Sequence, residues 1–249
     1  MNTATNSDPT LKRALVTGGS GGIGAAICRQ LVADGYHVVV HANSRLAAAQ
    51  QLCEEIAAAG GSASAIACDV ADAAATAAVL AAVLEIGPIQ ILVNNAGIHD
   101  DAIFPGMTAP QWQRVIDVNV NGFFNVTQPL MMPMLRTRWG RIVNISSIAA
   151  ITGNRGQVNY SAAKGALHAA TKSLALEVAS RKITVNAVAP GIISTAMSEA
   201  SFDAQAIEKL VPMKRAGTPA EVADLVSFLC SEKAAYITGQ ILSINGGMI

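Results

Sequence analysis

The feature that most constrains this chain is the way short, almost wholly apolar runs alternate with helix-length stretches. The runs "RALVTG", "HVVVHA", "SASAIACDV", "IQILVNNAG", "GRIVNISS", "KITVNAVAPG" and "GQILSING" have strand length. Between them lie "IGAAICRQLVADG", "SRLAAAQQLCEEIAAAG", a helical stretch around 73–86, a long helical segment from about Pro110 to Arg136, and helices from about Val158 to Ala179 and Pro219 to Ser231. A strand apolar along its whole length must be covered on both faces, which a parallel sheet with helical crossovers provides. The pattern predicts an α/β chain, a doubly wound parallel β-sheet flanked by helices on both faces. Gly35, Gly60 and Gly61 after the first two helices, and Thr218 before Pro219, are the expected end signals.

Composition narrows the function classes. Lys plus Arg and Asp plus Glu each number 17 in 249 residues, so nothing favours nucleic acid or an anionic membrane as partner. No run approaches the ~18 apolar residues of a spanning helix, and the leader "MNTATNSDPT" has no apolar core. A soluble cytoplasmic protein is expected, with residues 1–10 a flexible leader and 11–249 one domain. Cys28, Cys53, Cys68 and Cys230 are scattered, as are His37, His41, His99 and His168; buried free thiols and no metal site are expected. The segment 194–218 lacks strand periodicity and reads as a substrate lid or a surface excursion.

"LVTGGSGGIGAAI" joins the first strand to the first helix. Glycines there let the backbone approach a pyrophosphate while helix N-terminal amides face the anion, as in Rossmann-type folds. Gly19, Gly21 and Gly24 satisfy G-x-G-x-x-G formally. At the end of the second strand, an acidic residue would bind a ribose 2′-hydroxyl and repel a 2′-phosphate. The chain has His41, Ala42, Asn43, Ser44 and Arg45 instead, so NADPH is favoured over NADH, with Arg45 placed to neutralise the phosphate.

The ordered motifs "TGGSGGIG", "CDV", "NNAG", "VNVNG", "ISS", "YSAAK" and "VAPG" resemble those of the compact, single-domain short-chain dehydrogenases/reductases, from about Leu11 to the C-terminus. The resemblance selects Gly18, Gly22 and Gly24 as the important glycines of the phosphate loop, with Ser20, Gly21 and Ile23 between them. Gly21 stands where the family often has an arginine, which removes one ligand for a 2′-phosphate. The resemblance also implies that Asp69 and Val70 flank the adenine and that Asn95, Ala96 and Gly97 pass beneath the adenosine ribose. Pro190, Gly191 and Ile193 would border the nicotinamide carboxamide, with Thr195 bonded to it.

By the same resemblance Tyr160 is the proton donor or acceptor, Lys164 its electrostatic partner and a ligand of the nicotinamide ribose, Ser147 the carbonyl-orienting hydroxyl, and Asn119 the holder of a relay water. Tyr160 and Lys164 are one helical turn apart and share a face. A free phenol titrates near ~10. An ammonium about 4 Å away at an effective dielectric near 20 is worth roughly 4 kcal/mol, about three pK units, with burial opposing it. The expectation is a phenol brought toward neutrality that protonates the alkoxide formed as hydride reaches a ketone.

Within the family, "GNRGQVNYSAAKGAL" and "EVASRKITVNAVAPGII" are most similar to the 3-oxoacyl-[acyl-carrier-protein] reductases. They imply reduction of a 3-oxoacyl thioester on an acidic carrier in fatty acid biosynthesis or a related lipid or polyketide pathway, with Arg138 and Arg181 facing that carrier. An acetoacetyl-CoA reductase, another ketone reductase or alcohol dehydrogenase of the family, and a non-catalytic nucleotide sensor or scaffold remain alternatives. The family is usually homotetrameric, and a homotetramer is expected here.

Overall fold

Strands apolar on both faces need two helical layers, and both are present. The computed structural model describes residues 11–195 and 203–249; the leader 1–10, and residues 196–202 of the segment read as a lid, lie outside the described residues. The strands are β1 (Arg13–Val16), β2 (His37–Ala42), β3 (Ala63–Ala67), β4 (Ile91–Asn94), β5 (Gly140–Ile145), β6 (Ile183–Pro190) and β7 (Ile241–Ile244). They form one seven-stranded sheet in the order β3-β2-β1-β4-β5-β6-β7, and every pairing is parallel.

Helices α1 (Gly22–Ala33) and α2 (Leu46–Ala58) follow the first two strands, and α3 (Ala73–Ile86) follows the third. After β4 come α4 (Ala109–Ile116) and α5 (Gly122–Thr137), and after β5 a short α6 (Ala149–Thr152) and α7 (Val158–Val178). The chain closes with α8 (Ala204–Leu210) and α9 (Pro219–Cys230) before β7. Ile27, Leu52 and Val226 place α1, α2 and α9 on one face, while Leu80, Leu130 and Val178 place α3, α5 and α7 on the other. Burying each such side chain stabilises the fold by roughly 1.5–3 kcal/mol.

Two local features differ from the sequence reading. The long helix expected from Pro110 to Arg136 is interrupted by a π turn over Asp117–Asn121, the kind of widened turn that re-aims a side chain. The described part of the 194–218 segment contains α8, and Ile193 bridges Gly217. Thr218 caps α9 through a reciprocal box with Glu221.

A buried chain of neutral polar groups crosses the middle of the sheet. Asn94 Nδ2 donates to Asn144 Oδ1 at 2.9 Å and to Thr127 Oγ1 at 3.0 Å. Asn144 Nδ2 donates in turn to Thr171 Oγ1 at 2.8 Å. It therefore joins β4 and β5 to α5 and α7. Strand order reverses between β1 and β4, and the crevice beyond their carboxyl ends is where an open α/β sheet takes a ligand.

Candidate active site

The first wall of that crevice is the loop from β1 to α1. Gly18 and Gly22 have φ of +61° and +54°, conformations that favour glycine. A Cβ on Gly24 would lie 2.2 Å from the Gly18 carbonyl oxygen, so helix and loop approach too closely for any side chain. By contrast a Cβ on Gly21 would meet nothing within 4 Å; the family spacing of Gly18, Gly22 and Gly24 therefore matches the steric need better than the formal one. Gly21 caps α1 with no side-chain bond, leaving the first amides of that helix facing the crevice with Ser20 and Ile23 beside them. This cradle suits a pyrophosphate.

Thr17, which the sequence reading did not single out, ties this loop to the next. Its hydroxyl accepts from the backbone N–H of Asn95 at 3.0 Å and of Ala96 at 2.9 Å. Asn95 Nδ2 donates to the carbonyls of Thr17 and Gly18, so its side chain braces the loop. Gly97 has equally little room, since a Cβ there would sit 2.6 Å from Asn119 Oδ1 and 2.9 Å from Lys164 Nζ.

At the β2 end, Asn43, Ser44 and Arg45 are exposed, and the Arg45 guanidinium makes no ion pair among the described residues. Asp69 is exposed, with Oδ1 accepting from the Ala71 N–H. Val70 is buried, packed where α5 begins at Gly122. On the far side, Gly191 N–H donates to the Ile244 carbonyl. Ile193 is buried, and Thr195 lies against the phosphate loop, its Cγ2 3.7 Å from where a Gly22 Cβ would be.

The four residues read as catalytic converge beside that loop. Ser147 follows β5, its Oγ accepting from the Ala149 N–H at 3.2 Å. Tyr160 and Lys164 share a face of α7, and the ammonium lies 5.7 Å from the phenol ring centroid. Lys164 is 3% exposed and donates to the Ile145 carbonyl at 2.9 Å. Asn119, aimed inward by the π turn, donates through Nδ2 to the carbonyls of Ile98 and Val115, both at 2.8 Å. Its Oδ1 is buried without a partner among the described residues, facing the Gly97–Lys164 gap where a water would satisfy it. Asn159 holds the start of α7: Oδ1 accepts from the Tyr160 N–H and Nδ2 donates to the Asp100 carbonyl. Its place directly before Tyr160 was the one available signal.

The electrostatics correct one expectation. Lys164 does not draw the phenol toward neutrality. Burial raises Tyr160 above its ordinary value; the Ser147 hydroxyl opposes this, and Asp101 adds to it. The ammonium is itself penalised, its pKa lowered by burial from 10.5 to about 8. Desolvation of both partners wins because Lys164 is committed to a backbone carbonyl and lies over the ring. Tyr160 is therefore a protonated acid near neutral pH.

Arg138 and Arg181 do not join the site. These exposed arginines lie just before the paired starts of β5 and β6, Gly140 and Ile183. Tyr160 is at the other end of α7, roughly 30 Å away at 1.5 Å rise per residue. All four cysteines are free, with Cys28 and Cys230 buried and Cys53 and Cys68 only partly so. No helix among the described residues is long and apolar enough to cross a membrane.

A family model described as short chain dehydrogenase matches residues 12–206. The chain is 45% identical to the 3-oxoacyl-[acyl-carrier-protein] reductase FabG of Aggregatibacter actinomycetemcomitans, over 94% of this chain and 98% of the relative. It is also 45% identical to the enzyme of that name from Staphylococcus aureus (strain Mu50 / ATCC 700699), and to nodulation protein G of Azospirillum brasilense, in each case over 95% of this chain and 98% of the relative.

Proposed function

This chain belongs to the short-chain dehydrogenase/reductase family, and on that premise we propose that it reduces a 3-oxoacyl thioester, carried on acyl carrier protein, to the 3-hydroxyacyl thioester with NADPH. The observation that carries this reading is the convergence of Ser147, Tyr160, Lys164 and Asn119 beside the glycine loop. A bound nicotinamide supplies the hydride. Tyr160, held protonated by burial, donates its proton to the developing alkoxide, and the Ser147 hydroxyl holds that oxygen by hydrogen bond. Lys164 keeps a positive charge near the phenol as it gives up its proton, and the unpaired Asn119 Oδ1 holds a water through which a proton returns.

NADPH over NADH rests on the exposed Arg45 and on the lack of an acidic residue at the end of β2. Arg138 and Arg181, on the edge opposite the site, are proposed to hold a carrier that serves a neighbouring copy's cleft. Phe124 and Met132 on α5 and Leu176 on α7 are 62%, 59% and 86% exposed, apolar area suited to burial in a homotetramer; light scattering at two concentrations checks it. A cytoplasmic location is proposed with it.

The test is oxidation of NADPH by a short 3-oxoacyl thioester. Wild type should turn over and Tyr160→Phe should lose at least about a thousandfold in kcat/KM while still binding NADPH. Comparing carrier-linked, CoA-linked and simple ketones with both cofactors assigns the substrate. No turnover on any of them would leave a nucleotide sensor.

A further inference from the structure

His41 is a polar side chain in the cofactor region that neither the motifs nor the reaction calls for. It lies in β2 and is 3% exposed, with its ring turned under the phosphate loop while Asn43, Ser44 and Arg45 point out to solvent. The backbone N–H of Gly18 donates to His41 Nδ1 at 3.2 Å, so Nδ1 is the bare acceptor. Nε2 then carries the proton and donates to the Cys68 carbonyl at 3.0 Å. Backbone bonds run beside this bridge: Gly19 N–H donates to the His41 carbonyl at 2.8 Å, and Cys68 N–H to the Ala42 carbonyl at 3.2 Å. One imidazole thus spans from the glycine loop before α1 to the connection between β3 and α3 that continues into Asp69.

We propose that His41 is a positioning residue for the dinucleotide, its neutral imidazole bracing the phosphate loop against the β3–α3 connection so that both walls of the pocket are formed before the ligand arrives. The inference rests on the reading that this crevice binds a nicotinamide dinucleotide. Its physical basis is the direction of the Gly18 N–H, which points inward at the ring and not outward at an anion. Without Nδ1 that donor is left unpaired, and an unpaired interior donor is costly. A second proton on the ring would set N–H against N–H. Besides its two hydrogen-bond partners, the ring faces the Cys68 thiol, 3.5 Å from Nε2, and the Asp69 carboxylate. Burial disfavours the imidazolium, and the Cys68 carbonyl and Asp69 act against that.

The test is the dissociation constant of NADPH for wild type, His41→Asn and His41→Leu, read by calorimetry without turnover. An asparagine Oδ1 replaces Nδ1 as acceptor and does not titrate; leucine fills the space with no acceptor. His41→Leu should bind at least about tenfold more weakly than wild type, and His41→Asn within about threefold at pH 8, as expected if one buried hydrogen bond decides the matter. Because burial holds the His41 pKa below the ordinary imidazole value, wild type should keep its affinity relative to His41→Asn from about pH 8 to about pH 6 and lose it as the pH falls further. The ratio of the two constants is read, so titration of the ligand's own phosphates cancels. Leucine binding as well as histidine, asparagine as poorly as leucine, or a ratio flat in pH would each overturn the brace. Should the leucine variant fail to fold, the pH dependence of the ratio decides alone. Wild type binding neither NADPH nor NADH would bring down the cofactor reading itself, a distinguishable result.

Discussion

Replacing Lys164 with methionine should change how stability depends on pH, by an amount that follows from the surroundings of the ammonium. Burial lowers the Lys164 pKa from 10.5 to about 8 in the folded protein. Between those two values the unfolded chain keeps a proton that the folded chain has lost, so stability rises with pH across that window. With one pK unit equal to 1.36 kcal/mol, the buried charge weighs roughly 3 kcal/mol against folding at pH 7 and about 1 kcal/mol at pH 10. The methionine variant carries no such weight. Its other losses, chiefly the hydrogen bond to the Ile145 carbonyl, are the same at both pH values. The stability of the variant minus that of wild type should therefore fall by roughly 2–3 kcal/mol from pH 7 to pH 10. Urea unfolding of the two apoproteins, followed by far-UV circular dichroism at equal protein concentration, measures it. A difference constant to within about 0.5 kcal/mol would mean that the ammonium is solvated, and the reasoning would be wrong.

Three further outcomes are expected. Gly24→Ala, which puts a methyl 2.2 Å from the Gly18 carbonyl oxygen, should cost about 1–3 kcal/mol in urea unfolding and weaken NADPH binding at least about tenfold; Gly21→Ala, with open space around its Cβ, should leave stability unchanged. Asp101→Asn removes a charge that raises the Tyr160 phenol, so the acid limb of the pH profile for 3-hydroxyacyl oxidation, where the phenolate is the base, should move to lower pH. Arg45→Ala should weaken NADPH by about tenfold, the order of one charge-assisted contact, and leave NADH affinity unaltered; equal losses for both would remove the arginine from 2′-phosphate recognition.

The two-layered sheet was legible because seven apolar runs have no polar face to give to water. Helix bounds such as Ala73–Ile86 and Val158–Val178 follow the same pattern. Tyr160 and Lys164 were legible as neighbours because one turn of helix separates them. What the residues withheld depends on partners distant along the chain. The π turn at Asp117–Asn121 sets Asn119 so that it bonds Ile98, 21 residues away, and no local propensity encodes that. His41 looked like an ordinary strand end, since its ring partners Gly18 and Cys68 stand 23 and 27 residues off. The protonation of the phenol was misjudged because spacing shows the nearby cation and not the depth at which both groups lie. That Arg138 and Arg181 stand opposite the site emerges only once Gly140 is paired with Ile183.

The Asn94–Asn144 amide contact acts as a key between two strands whose ends carry the chemistry. Asn94 directly precedes Asn95 and the turn through Gly97, and Asn144 comes three positions before Ser147. Sliding β5 along β4 by one residue would shift the serine by about 3.3 Å and reverse the face each side chain presents, stranding both amides in hydrocarbon. The central seam is thus a ruler for the reacting atoms: misassembly that would misplace the hydroxyl must first break the interior.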